Sequence, residues 1–182
     1  NAVSNTYTLG YSFGSGVTIP GTGILMNNQM NNFAYRYGDK KERGRGASTG
    51  NRFEPGKNPM STMAPTMIFN KEGELVLVTG SPGGSLIPAA ILRVITGIID
   101  FDLDIGQATM LPRVHKDWPK TGILYERTVN SDVVRIINKR IGHKMTPEHT
   151  MGSTQSIHII DGVNYGYADL RRPGASVSSQ EN

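Results

Sequence analysis

The passage from Glu74 to Asp100 restricts the fold more than any other. Glu74-Leu75-Val76-Leu77-Val78 reads as a strand, Gly80-Ser81-Pro82-Gly83-Gly84-Ser85 has the composition of a turn, and Leu86 to Asp100 carries apolar residues at helical spacing. A strand that feeds a helix in this way belongs to a sheet with helices stacked on it, not to a helical bundle. The 22 glycines and 10 prolines among 182 residues point the same way, since they imply many tight turns. Thr66-Met67-Ile68-Phe69 and Glu74 to Val78 flank Asn70-Lys71-Glu72-Gly73, the pattern of a β-hairpin. Further strands are expected over Thr6 to Leu9, Ile123 to Tyr125, Ser156 to Ile160 and Val163 to Tyr167, the last two joined at Asp161-Gly162. Helices are expected at Ile105 to Thr109 and at Ser131 to Ile141, the second burying Val133, Val134, Ile136, Ile137 and Ile141. The pattern is α+β, with Leu75, Leu77 and Ile157 or Ile159 buried between stacked sheets.

Composition removes whole classes. The longest apolar stretch, Leu86 to Ile99, is broken by Pro88, Arg93, Thr96 and Gly97, too interrupted for a membrane span. With no cysteine there is no disulfide, thiolate metal site or cysteine nucleophile. A net charge of +4 allows an acidic partner, but 7% aromatic residues argue against a stacking platform for nucleic acid. Residues from Arg36 to Arg52 are basic and polar, the signature of a surface loop. Alternation begins at the first residues, so the chain is expected to be the C-terminal piece of a longer polypeptide.

Three features bear on chemistry. Consecutive glycines at a helix start leave backbone N–H groups unshielded at the positive end of the helix dipole, a nest for a phosphate, a carboxylate or an oxyanion. The same residues also fit a plain tight turn with Ser85 as helix N-cap. His115, His143, His149 and His158 have no metal-ligand spacing, and Ser81 is not in a GxSxG elbow, so neither a metal nor a serine triad is predicted. Asp169-Leu170-Arg171-Arg172 reads as a structural salt-bridge cluster.

Five blocks in order carry a closer likeness: Thr6-Tyr7-Thr8-Leu9, Gly23 to Met30, Pro59 to Thr66, Thr79 to Ser85 and Met151 to Ser156. Together they resemble the small, catalytic subunit of the γ-glutamyltransferases (glutathione hydrolases) over the whole chain, taken as one domain of residues 1–182. The resemblance implies an αββα four-layer sandwich of the N-terminal-nucleophile hydrolases, shared with a separate large subunit cut from the same precursor. It implies a threonine nucleophile at the new N-terminus, upstream of the position matched by Asn1, with its own α-amine as general base. The expected acyl donor is a small γ-glutamyl amide such as glutathione, with no cofactor and no metal. The setting implied is periplasmic or secreted in bacteria, or at the cell surface.

Residue by residue, Thr8 matches a threonine bonded to the nucleophile, and Gly83 and Gly84 match the oxyanion-hole pair. Ser61 and Thr62 match the pair that holds the substrate α-carboxylate, and Gln29 matches a residue gripping the α-amino end. Two positions depart. Gly10 stands where the family has Asn, and Asn32 where it usually has the Asp that pairs with the α-ammonium; losing that charge is worth about 1–3 kcal/mol. Asn at this position is similar to cephalosporin-acylase-like relatives, whose acyl group has no α-amine. The basic stretch Gly38 to Arg45 falls at the family's lid. An amidohydrolase acting on a glutaryl or other N-acyl amide is therefore the first alternative, and an inactive binding subunit the second.

Overall fold

Asn70 closes the first hairpin with both ends of its side chain. Its Oδ1 accepts the Glu72 and Glu74 N–H groups at 3.1 and 2.8 Å, and its Nδ2 donates to the Glu74 carboxylate at 2.8 Å. Gly73, at φ +82°, takes the left-handed position the turn requires. In the computed structural model, which describes residues 1–34, 49–117 and 122–179, this turn joins β1 (Thr66–Phe69) to β2 (Leu75–Gly80). The chain groups into two compact units, one of residues 1–6 and 64–182, the other of residues 7–63.

In the first unit β1 and β2 pair antiparallel with β6 (Gln155–Ile160) and β7 (Val163–Ala168) in the order β1-β2-β6-β7. Leu77 lies opposite His158 and Thr79 opposite Ser156, whose hydroxyls meet at 2.7 Å. From β2 the chain passes through a single 3-10 turn, Gly84–Leu86, into α1 (Ile87–Ile99). Pro88 sits in the first turn of α1, where a missing N–H costs nothing. Ile87, Ala90, Ile91, Val94 and Gly97 form its buried stripe. A Cβ on Gly97 would lie 2.8 Å from that of Ala108, so glycine is what lets α2 (Ile105–Met110) approach. Asp104 and Gln107 cap α2 reciprocally. Leu77, Val94, Ile105 and Ala108 form the core between sheet and helices, with Tyr167 against it.

The opposite sheet face is partly covered: Val78 is 8% exposed, and a Cβ on Gly166 would lie 2.7 Å from a Val177 methyl. Met67, Val78, Ile157 and Gly166 are successive partners across the four strands, and Met67 and Ile157 remain 37% and 43% exposed. Only the Gly80 end of this face is touched by residues 1–6: Thr6 Oγ1 stands 3.4 Å from where a Gly80 Cβ would be. Leu77 is buried as expected, but Leu75 and Ile159 are half-buried and Ile157 exposed. The expected strand over Thr6 to Leu9 carries no regular structure. Both edges of β2 are already paired, and Ser4 reaches the Thr79 carbonyl through its hydroxyl, at 3.0 Å, rather than through its backbone.

A second, small sheet holds β3 (Val114–His115), β4 (Ile123–Glu126) and β5 (Met145–Glu148); β4 and β5 are parallel, connected through α3 (Ser131–Ile136). After α3 the helix continues as a π-turn over Ile137–Ile141 and ends at Gly142 in the left-handed conformation. The predicted apolar stripe is present but not buried: Val133, Ile136 and Ile141 are exposed. Periodicity shows that a helix has an apolar face, not what covers it.

In the second unit Thr18 and Leu25 form a single bridge around the Pro20-Gly21 turn, and Ala34 pairs with Arg52. Phe33 packs edge-on against Phe53 with ring centroids 5.4 Å apart. Lys40, Lys41, Arg43 and Arg45 and the expected lid at 38–45 lie outside the described residues.

Candidate active site

Gly83 and Gly84 adopt φ of +135° and +61°, conformations that strain any residue with a Cβ. Leu86 N–H donates to the Gly83 carbonyl at 3.2 Å, and neither Gly83 N–H nor Gly84 N–H has an acceptor among the described residues. Two adjacent unpaired backbone donors are what an oxyanion hole consists of. The alternative of Ser85 as N-cap does not hold: α1 begins at Ile87, and its N-cap residue, Leu86, makes no side-chain cap bond.

The turn rests on the Met151–Thr154 strap, which is gripped from both sides. On one side Ser81 Oγ accepts the Ser153 N–H at 3.0 Å. On the other, Met151 donates its N–H to Glu126 at 2.9 Å and accepts from Arg113 at 2.6 Å, while Thr154 N–H donates to Asp169 at 2.9 Å. Arg113 pairs with Asp169 at 2.6 Å and Arg171 with Glu126 at 2.7 Å; Arg113 and Asp169 are both fully buried. The predicted Asp169–Arg171 cluster is thus half of a four-charge network whose other half, Arg113 and Glu126, carried no local signal. Arg172 is exposed.

Burial pushes the Glu126 carboxyl up, but hydrogen bonds from Arg171 and from the Met151 and Arg113 amides outweigh it and hold it below its ordinary value. Burial likewise opposes ionisation of Asp169, and the Arg171 and Thr154 amides with Arg113 overcome it. Both carboxyls therefore bind protons more weakly folded than unfolded. Their stabilisation is complete above the ordinary values of 4.5 and 3.8 and is lost as pH falls through the lower folded ones. Melting temperature should be flat near neutrality and drop below about pH 4, with a shallower drop in Glu126→Gln, as calorimetry across pH can show.

The second unit carries the remaining predicted residues. Thr8 Oγ1 accepts the Gly10 N–H at 3.0 Å, and Gln29 Nε2 donates to the Thr8 carbonyl at 3.1 Å. Gln29 Oε1 in turn accepts from Asn32 Nδ2 at 2.6 Å, so Thr8, Gln29 and Asn32 form one chain. Asn32 is 2% exposed, and its Oδ1 makes no hydrogen bond among the described residues. Asn51 Nδ2 donates to the Asn32 carbonyl at 2.7 Å, and its Oδ1 accepts the Met60 N–H at 3.2 Å, immediately before Ser61 and Thr62. Ser61 Oγ accepts the Met63 N–H at 3.3 Å; Ser61 is exposed and Thr62 half-buried. At Gly10, φ is +89° and a Cβ would stand 3.1 Å from the Asn28 carbonyl oxygen, so the family's Asn does not fit this backbone unaltered. Asn51 was not legible in sequence: an Asn beside a glycine is ordinary turn chemistry.

His115 bonds Asp117 at 2.7 Å, and burial lowers the His158 pKa. Among the described residues no three His, Asp or Glu side chains are placed to hold a metal ion.

A sheet with helices on one face is joined to its first helix by a glycine turn whose two adjacent N–H groups have no acceptor among the described residues. The chain belongs to the γ-glutamyltranspeptidase family, whose model matches residues 1–179. It is 39% identical over 172 residues to a glutathione hydrolase proenzyme of Escherichia coli K12, covering 94% of this chain and 29% of that protein. The chain thus spans less than a third of the length of that relative. Among solved structures, a mutant of Helicobacter pylori γ-glutamyltranspeptidase superposes with a TM-score of 0.86 at 35% identity, covering 94% of each chain. A cephalosporin acylase from Bacillus halodurans superposes at 0.78 and 28% identity, over 93% of this chain and 30% of that one.

Proposed function

We propose that this chain is the catalytic small subunit of a γ-glutamyltransferase or glutathione hydrolase. The observation that carries the reading is the pair of free N–H groups at Gly83 and Gly84 on a scaffold of this family. In the reaction, a threonine Oγ upstream of Asn1 attacks the γ-carbonyl carbon, and its proton passes to the threonine α-amine. The carbonyl oxygen, now carrying the negative charge, takes hydrogen bonds from Gly83 and Gly84. Collapse breaks the C–N bond, the leaving nitrogen takes the proton, and an ester remains. Water or an amino acid then attacks that ester with the same amine as base. Thr8 orders the nucleophile, Ser61 and Thr62 receive the α-carboxylate, and Gln29, Asn32 and the Gly10 backbone line the α-amino end.

The apolar surface left exposed at Met67 and Ile157 supports a large subunit as the missing layer, because a sandwich would bury it. The E. coli relative is a proenzyme, which fits a partner cut from the same precursor. A chain without cysteine fits a periplasmic or secreted setting.

Asn32 favours a second reading, an amidohydrolase for glutaryl or other N-acyl groups. With its Nδ2 bound to Gln29, Asn32 offers a neutral carbonyl, not a carboxylate, to whatever lies beyond. Rates on γ-glutamyl and glutaryl anilides, measured on the two-subunit enzyme and on Asn32→Asp, separate the two. The parent should discriminate weakly, and Asn32→Asp should raise kcat/KM for the γ-glutamyl anilide by about 10-fold or more and lower it for the glutaryl one. A parent preference of about 10³-fold for γ-glutamyl defeats the second reading; no turnover of either defeats both.

A further inference from the structure

We infer that Ser81 is a positioning residue that aims the Gly83 N–H, with Gly152 and Ser153 as its footing. The inference rests on the proposed oxyanion role of Gly83 and Gly84 and adds what sets the direction of the first donor.

A trans peptide unit holds its C=O and N–H in opposite directions, so fixing one fixes the other. The Gly83 N–H shares its peptide with the Pro82 carbonyl, and Ser81 Oγ–H donates to that carbonyl at 2.8 Å. The Gly84 N–H shares its peptide with the Gly83 carbonyl, which the Leu86 N–H holds at 3.2 Å. Both oxyanion donors are therefore aimed through their carbonyls. The second is aimed by a backbone bond of the 3-10 turn itself and needs no side chain. The first depends on one hydroxyl.

That hydroxyl is itself fixed. Ser81 is 2% exposed, and its Oγ accepts the Ser153 N–H at 3.0 Å, so the only proton it has left goes to Pro82. Space around it is closed: a Cβ on Gly152 would lie 2.5 Å from Ser81 Oγ, and one on Gly83 would lie 3.3 Å from Gly152 Cα. Gly152, at φ +72°, is the residue that lets the strap pass under the turn. The strap is anchored beyond by Glu126 and Asp169, so the aim of the Gly83 N–H is referred through Ser81 to a buried ionic framework. Ser81 touches no reacting atom.

The test compares Ser81→Ala and Ser81→Cys with the parent in the two-subunit enzyme, with rates normalised to the fraction cleaved into subunits. Cysteine is bulkier but keeps a weak donor at the same position, and it answers the question if the alanine variant does not fold. An oxyanion exists only after attack, so kcat should fall about 10- to 100-fold at nearly constant KM. Affinity for a boronic acid analogue of the acyl group, which forms a tetrahedral anionic adduct, should weaken by the same factor, while affinity for the trigonal product glutamate holds. A kcat within about threefold of the parent in whichever variant folds overturns the inference, whatever happens to the melting temperature. So does a loss confined to KM, or boronate and glutamate weakening together. A parent that turns over no γ-glutamyl or N-acyl amide overturns the functional reading instead.

Discussion

Replacing Gly84 by Pro should lower kcat for a γ-glutamyl anilide at least 10²-fold, with KM changed far less, because an oxyanion donor disappears while ground-state contacts stay. The backbone adds to the effect: Gly84 sits at φ +61°, which the proline ring cannot reach. A control separates chemistry from strain. Gly142 has φ +80°, open space around it and an N–H bonded to the Ile137 carbonyl, so Gly142→Pro suffers the same insult at the end of the α3 segment. That variant should lose stability and keep kcat. Equal loss of kcat in both variants would assign the effect to strain alone.

The second large effect belongs to the buried network. Asp169→Ala removes the carboxylate that pairs with Arg113 and Arg171 and receives the Thr154 N–H, leaving a fully buried guanidinium with no anion in contact. Breaking one partner of such a pair costs about 3–5 kcal/mol, much more than any surface pair contributes. Urea midpoints of the two-subunit enzyme should show the loss. A double cycle with Arg113→Met should recover part of it, since an apolar pair of similar volume leaves no buried charge. Additive losses across the cycle would mean that the two residues stabilise the fold separately.

How much of this was legible in sequence depended on distance along the chain. The hairpin at Asn70, the glycine turn and the helix from Ile87 are each decided within a few residues, and their patterns were readable. The unshielded N–H groups of Gly83 and Gly84 belong to the same class, since a strand, two glycines and a helix are enough to expose them. Arg113 finds Asp169 56 residues away and Arg171 finds Glu126 45 away, so nothing near either arginine announced its partner. Ser81 lacks the elbow motif of a serine nucleophile. Its hydroxyl gains a role only through Gly152 and Ser153, the latter folding back from 72 residues downstream. The strand expected at Thr6 to Leu9 failed for a related reason. Alternation was present, but β2, whose Thr79 carbonyl Ser4 reaches, is already paired on both edges, and a free strand edge is not written in a local pattern.

If γ-glutamyl amides pass through one acyl-enzyme, as proposed, partitioning shows it most directly. The two-subunit enzyme is given two donors that differ only in their leaving group, a γ-glutamyl anilide and glutathione, at one fixed concentration of a dipeptide acceptor. If both form the same ester, the ratio of free glutamate to γ-glutamyl dipeptide must be identical for the two, however different their rates. Ratios that depend on the leaving group, or release of neither leaving group, would contradict the account.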